Sequence, residues 1–213
     1  MRRAAGPRFK YSPAELWADG IVHGLGLSLA IAAAIAAPLA LSGRVPAGEM
    51  AAMGVYLGTL VLSLGISAAY NLWPAGSVKA VLRRLDHSAI FLLIAGTYTP
   101  FMAVSKTWWL LAFVWSVAAA GVFGKLFVPH RFDRVALVAY LGLGWSGIVA
   151  YGPLTEALSS SVVWLVIGGG IVYSVGVIFH VWQRLLFQNA IWHAFVVTAA
   201  CIHFVAVWKS AIA

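Results

Sequence analysis

Three pairs of polar residues in this chain stand four positions apart: Asp19 and His23, Ser67 and Asn71, Asn189 and His193. On a helix that spacing is one turn, so each pair shares a face. Carboxylate, hydroxyl, amide and imidazole groups gathered in one place can bind a metal ion or move a proton. They can also simply satisfy one another by hydrogen bonding. Asp86, followed directly by His87, is the fourth contributor. His87 points about 100° away from Asp86 on a helix, which makes it a supporting or interface group. All of these residues lie near the ends of long apolar stretches, where such groups are costly unless they face a partner or a wet cavity.

The stretches themselves define the class. The chain has 213 residues, 62% hydrophobic and 9% charged, with a mean hydropathy of +0.93. Soluble domains carry roughly a quarter charged residues, so this composition reads as a polytopic membrane protein. A spanning helix needs about 20 apolar residues. Seven stretches qualify: 14–41, 49–73, 85–104, 107–128, 134–152, 162–183 and 189–209. Ser42-Gly43, Pro74-Ala75-Gly76, Pro129 and Gly152-Pro153 punctuate the connections. Ser12-Pro13-Ala14-Glu15 carries a helix-start signal, with Ser12 as cap, Pro13 in the first position and Glu15 closing a capping box. The expected fold is an all-α bundle of seven transmembrane helices, with residues 1–12 as a tail and 13–213 as one domain.

Lysine and arginine placement orients the bundle. Arg2, Arg3, Arg8, Lys10, Lys79, Arg83, Arg84, Lys125, Arg131, Arg134 and Arg184 fall on the N-terminal side, and only Arg44, Lys106 and Lys209 on the other. That asymmetry predicts a cytoplasmic N-terminus, an outside C-terminus and residence in the inner membrane. The start of the chain has no short apolar core with a small-residue cleavage site, so it reads as a cytoplasmic tail. The net charge of +8 is then a membrane feature, with lipids as the expected partners and no nucleic acid. Cys201 reads as a small apolar filler. Retinal is excluded because the last span has only Lys209, at its outer end.

With this direction, Asp19, His23, Ser67, Asn71, Asp86, His87, Asn189 and His193 come to one depth, near the cytoplasmic face. His180 closes the sixth span at the same level. His130 is expected in a solvated loop, and His203 and Tyr140 in interhelical hydrogen bonds. Clustering at one end does not line a path across the membrane, so a cytolytic pore is disfavoured.

The segments ELWADGIVHGLG (15–26), SAAYN (67–71), LDHSAIFLLIAGTYTP (85–100), LGLGWSG (141–147) and NAIWHAFVVTAACIHF (189–204) resemble bacterial haemolysin III-type proteins. That family is shared with the progestin and adiponectin receptors and is distantly similar to the alkaline ceramidases. The resemblance implies a zinc site near the cytoplasmic face. It would be held by a histidine from a Ser-x-x-x-His run and two from a His-x-x-x-His run, with an Asp orienting the water and the Ser supporting it. Ser67, Asp86 and His193 match their positions. Asn71 and Asn189 stand where the other two histidines are expected, and Asp19 stands where Asn is usual, while Glu15 and His23 match. An amide is a poor zinc ligand, so the expectation is an impaired zinc site and a role in membrane lipid or energy homeostasis. In that expectation Asp19, His23 and His87 are surroundings, and recruitment of His23, His87 or His180 ranks below an empty or water-filled pocket. The alternative is an active zinc-dependent hydrolase of a lipid amide or ester, like a ceramidase.

Overall fold

The structure, a computed structural model, describes residues 11–212, the side chains of 129–134 apart. Most of the tail, with Arg2, Arg3, Arg8 and Lys10, lies outside the described residues, as do the side chains of His130, Arg131 and Arg134. The helices are α1 (Pro13–Leu41), α2 (Ala47–Leu72), α3 (Ser77–Val104), α4 (Trp108–Phe127), α5 (Pro129–Trp145), α6 (Tyr151–Ala157), α7 (Ser160–Val181) and α8 (Gln188–Ala211). A 3-10 turn, Ser146–Ala150, joins α5 to α6. Among the described residues, seven helical segments are long and apolar enough to cross a membrane, the fifth running Val135–Ala157 through that turn.

Local signals account for most of the boundaries. Ser12 caps α1 through its hydroxyl, which accepts from the Glu15 amide at 3.3 Å, while Glu15 Oε2 accepts from the Ser12 amide at 2.8 Å. Both halves of the predicted capping box are therefore formed. Helix α3 starts eight residues earlier than its apolar stretch, because the charged turn holding Lys79, Arg83 and Arg84 continues the helix outward. Pro129 opens α5 instead of ending α4, a position where its missing N–H costs nothing. Gly152-Pro153 likewise falls inside a helix, in the first turn of α6.

The fifth span is broken by a neighbour. The Tyr98 hydroxyl of α3 donates to the Gly144 carbonyl at 2.8 Å and accepts from the Gly147 amide at 2.7 Å. The tighter turn then carries the chain to α6.

Packing follows chain order with one closure. Helix α2 lies on α3, α3 on α4, and α7 on α8, while α1 sits between α2 and α8. Helix α3 is the most enclosed, with 56% of its most apolar window buried, and forms the centre of the bundle. Tyr56, Met53, Phe91, Met102, Leu110 and Val114 fill the core beside it. Lipid-sized apolar side chains such as Leu25, Leu39, Phe123, Trp164 and Ile178 point outward, as a membrane span requires. The closure of α1 onto α8 matters most here, because it joins the two ends of the sequence at the polar cluster.

Candidate metal centre

Helix α1 turns Asp19 and His23 toward α8, and both are almost fully buried, at 4% exposure. Helix α8 starts at Gln188 after Phe187, so Asn189 and His193 occupy its first two turns and face α1. His193 Nδ1 stands 2.6 Å from Asp19 Oδ1. Asn189 Nδ2 donates to Asp19 Oδ2 at 2.8 Å and to Asn71 Oδ1, on the last turn of α2, at 3.0 Å. Asn71 Nδ2 in turn donates to the Ser67 carbonyl at 2.9 Å and stands 3.4 Å from the Ser67 hydroxyl. The His23 and His193 rings are 4.2 Å apart between centroids. Three helices thus share one hydrogen-bonded chain running from Ser67 to Asp19.

One atom is left over. His23 Nε2 is buried, 3.7 Å from Asp19 Oδ2, and has no hydrogen-bond partner among the described residues. Orphaned buried nitrogens are rare in folded proteins, and this one lies beside a carboxylate and a second imidazole, both of them metal-ligating groups. Asp19, His23 and His193 offer ligand atoms that all lie within 4.8 Å of one another. Two imidazoles and a carboxylate, with a fourth position left open, is a donor set that catalytic zinc uses. The residues present therefore fit the metal.

This overturns the expected impairment of the zinc site and the doubt about zinc. Asn71 and Asn189 occupy the positions named above, yet they are not gaps in the centre, because the donors come from elsewhere. Asp19 and His23 of α1, assigned from the sequence to the surroundings, form the cluster with His193. The reason is the closure of α1 onto α8, which delivers a carboxylate and an imidazole to the site. Homeostasis by a protein with a disabled centre loses its basis with the same finding.

The remaining predicted residues divide. Asp86 is half-buried, within hydrogen-bonding reach of the Ser67 hydroxyl and in the electrostatic field of His193 and Asp19. His87 turns away, with Nδ1 3.3 Å from Lys125 Nζ of α4, while its backbone carbonyl accepts from the Tyr140 hydroxyl at 2.7 Å. His180 is exposed and lies 4.9 Å from the Trp192 ring. Neither joins the cluster. His203 bonds to the Val166 carbonyl at 3.1 Å, packed so closely on Gly169 that a Cβ there would strike its ring. Cys201 is exposed on α8 and is no core filler. Sequence reasoning missed Asp19 as a candidate ligand, and the signal available was the spacing of Glu15, Asp19 and His23, four apart along one stripe of α1.

Fold and site together define a seven-helix membrane protein with a buried Asp/His/His cluster near one end of the bundle. The model for the family described as "Haemolysin-III related" matches residues 15–204, which reaches every helix, and the chain belongs to that family. It is 39% identical over 191 residues to Hemolysin-3 of Bacillus cereus, covering 88% of this chain and 87% of that one. The Hemolysin-3 homolog of Bacillus subtilis is 35% identical over 191 residues, 88% and 90% of the two chains. Human Monocyte to macrophage differentiation factor is 29% identical over 140 residues, 62% of this chain and 57% of its own. No solved structure matches.

Proposed function

We propose that this protein is a zinc-dependent hydrolase that cleaves an amide or ester bond of a membrane lipid. The observation that carries the reading is the buried cluster of Asp19, His23 and His193, with ligand atoms within 4.8 Å. These three residues would hold the metal. When bound, zinc supplies a Lewis acid for a carbonyl oxygen and lowers the pKa of its water to about 7.

The other residues act on the same bond. Asp86 takes a proton from the attacking water and returns it to the leaving amine or alcohol as the carbon–nitrogen or carbon–oxygen bond breaks. The Ser67 hydroxyl, in reach of that carboxyl, orients it and can donate to the developing oxyanion. Asn71 and Asn189 keep Asp19 in place, and His87 braces α3 against α4 through Lys125. A single domain, 13–213, carries all of this, following the tail of residues 1–12.

The site would open toward the cytoplasm from the inner membrane, with the N-terminus inside and the C-terminus outside. The lysine and arginine bias supports that direction. Lys79 supports it too, since its ammonium donates to the Asn71 and Trp73 carbonyls at 3.2 and 2.9 Å, at the cluster's end of α2. On this reading the chain is related to the progestin and adiponectin receptors, in line with its 29% identity to the human differentiation factor.

The test uses detergent-purified protein, with metal content measured alongside fatty acid release from a ceramide and from a diacylglycerol. The expected result is one zinc per chain and release from one of the two, with both lost in His193→Ala. Absence of metal, or full zinc occupancy in His193→Ala, would overturn the centre. Full occupancy without release from either lipid would overturn the hydrolysis.

A further inference from the structure

Glu15 lies one turn before Asp19 and two before His23 on α1, and its carboxylate does two things at once. Oε2 accepts from the Ser12 amide at 2.8 Å and closes the local capping box. Oε1 accepts from the Phe187 amide at 3.1 Å, 172 residues away. Phe187 is the residue immediately preceding α8, and its backbone is left-handed, with φ at 58°. A bulky non-glycine residue rarely holds that conformation unless its surroundings fix it. The Glu15 carboxylate fixes it by gripping the N–H at the entry to α8. It also places a negative charge at the helix start, where the exposed amides favour one.

The stripe continues inward. Asp19 meets Asn189 and His193, and His23 meets the His193 ring. Next along the stripe comes Gly26, where a Cβ would stand 2.5 Å from a Val197 methyl, so the two helices approach closely there. Glu15 is the outermost tooth of this seam, and the Gly26 contact is its inner stop. A translation or rotation of α1 against α8 would separate Asp19 and His23 from His193.

We infer that Glu15 is a positioning residue for the metal centre, acting by pinning the entry of α8 to the first turn of α1. This rests on the reading of Asp19, His23 and His193 as metal ligands. The function of the carboxylate is then not confined to capping its own helix. It sets the register in which the donors of α1 reach the donor of α8.

Two variants separate the roles. Ser12→Ala removes the hydroxyl cap and leaves the Glu15–Phe187 bond, whereas Glu15→Ala removes that bond and the carboxylate half of the capping box and leaves the Ser12 hydroxyl on the backbone amide of residue 15. Zinc affinity is measured on purified full-length protein by competition with a chromophoric chelator, and melting of the metal-free form is followed in parallel. Glu15→Ala is expected to weaken zinc binding about 10- to 100-fold, the range seen when groups that orient ligands are removed. Ser12→Ala is expected to stay within about threefold of the parent. Glu15→Gln, which keeps an oxygen for the Phe187 amide, is expected to bind zinc more tightly than Glu15→Ala and serves if the alanine variant does not fold. Equal losses in Ser12→Ala and Glu15→Ala would assign the effect to helix capping and overturn the inference. So would parental affinity in Glu15→Ala, or a Glu15→Gln protein no tighter than Glu15→Ala. Failure of the parent protein to bind zinc would instead overturn the metal centre.

Discussion

Asp19→Ala removes the group on which the cluster converges. Its two oxygens take the His193 and Asn189 donors at 2.6 and 2.8 Å, and His23 Nε2 stands 3.7 Å away. Two effects follow and can be measured separately. In the metal-free protein, the substitution strands buried donors, at a cost of about 1–3 kcal/mol. In the loaded protein it also removes one of three ligands. Groups that only orient a ligand are worth roughly 10- to 100-fold in affinity, so a direct ligand should cost about 100-fold or more. At free zinc 100 times the parent dissociation constant, binding stabilises the folded state by about 2.7 kcal/mol. A hundredfold weaker variant at the same zinc keeps about 0.4 kcal/mol by the same relation. For a chain of this size, 1 kcal/mol moves the melting midpoint by roughly 2–4 °C. The chelator-sensitive part of the melting temperature should therefore fall from about 5–10 °C to about 1 °C. Fluorescence from the ten tryptophans follows melting in detergent, with and without chelator. Asp86→Ala, which leaves the three donors in place, should keep most of the chelator shift. A full shift surviving in Asp19→Ala would refute the assignment of Asp19 as a ligand.

Two further perturbations test the scaffold. In Gly121→Ala the new Cβ would stand 2.6–2.7 Å from the fully buried Phe91 ring, so melting in detergent should show a loss of about 1–3 kcal/mol. Combining it with Phe91→Leu should cost less than the two single losses added together, and strict additivity would count against the contact. Tyr98→Phe strips the hydroxyl that serves Gly144 and Gly147 and leaves a backbone amide without its partner, at about 1–3 kcal/mol. Hydrogen exchange should then quicken around residues 144–150 before it does in α3, and unchanged protection there would show that the turn does not depend on Tyr98.

The elements were legible wherever one physical quantity decided them. Apolar length alone finds seven spans, and Ser12 with Glu15 fixes the start of α1 to the residue. The outward extension of α3 was not legible, because Lys79, Arg83 and Arg84 break the apolar run without breaking the helix. The break at Ser146 was not legible either, since its cause is a tyrosine 48 residues away in sequence. The same distinction divides the site. Periodicity and depth bring the polar residues to one end of the bundle, but they do not say which helix lies against which. Helix α1 follows its neighbour α2 in sequence and also packs on α8, at the far end of the chain. That second contact turns Asp19 from surroundings into a candidate ligand.

The two amides follow from the carboxylate at position 19. A neutral imidazole has one N–H, whereas an asparagine amide has two donors and an acceptor. Asn189 uses both donors, one to Asp19 Oδ2 and one to Asn71 Oδ1. A neutral histidine at 189 could serve only one of them, leaving Asp19 or Asn71 with an unmet partner in a poorly solvated place. Asn71 accepts from Asn189 through Oδ1 and donates to the Ser67 carbonyl through Nδ2, both bonds made from one amide. Asp19 brings the carboxylate to the cluster: Asn189, itself bonded to Asn71, donates to Oδ2, which His23 Nε2 approaches to 3.7 Å, while His193 meets Oδ1. Counting histidines against a family pattern treats each position as independent. Here Asp19 on α1 and the amides on α2 and α8 form one hydrogen-bonded set, and the candidate donors are Asp19, His23 and His193.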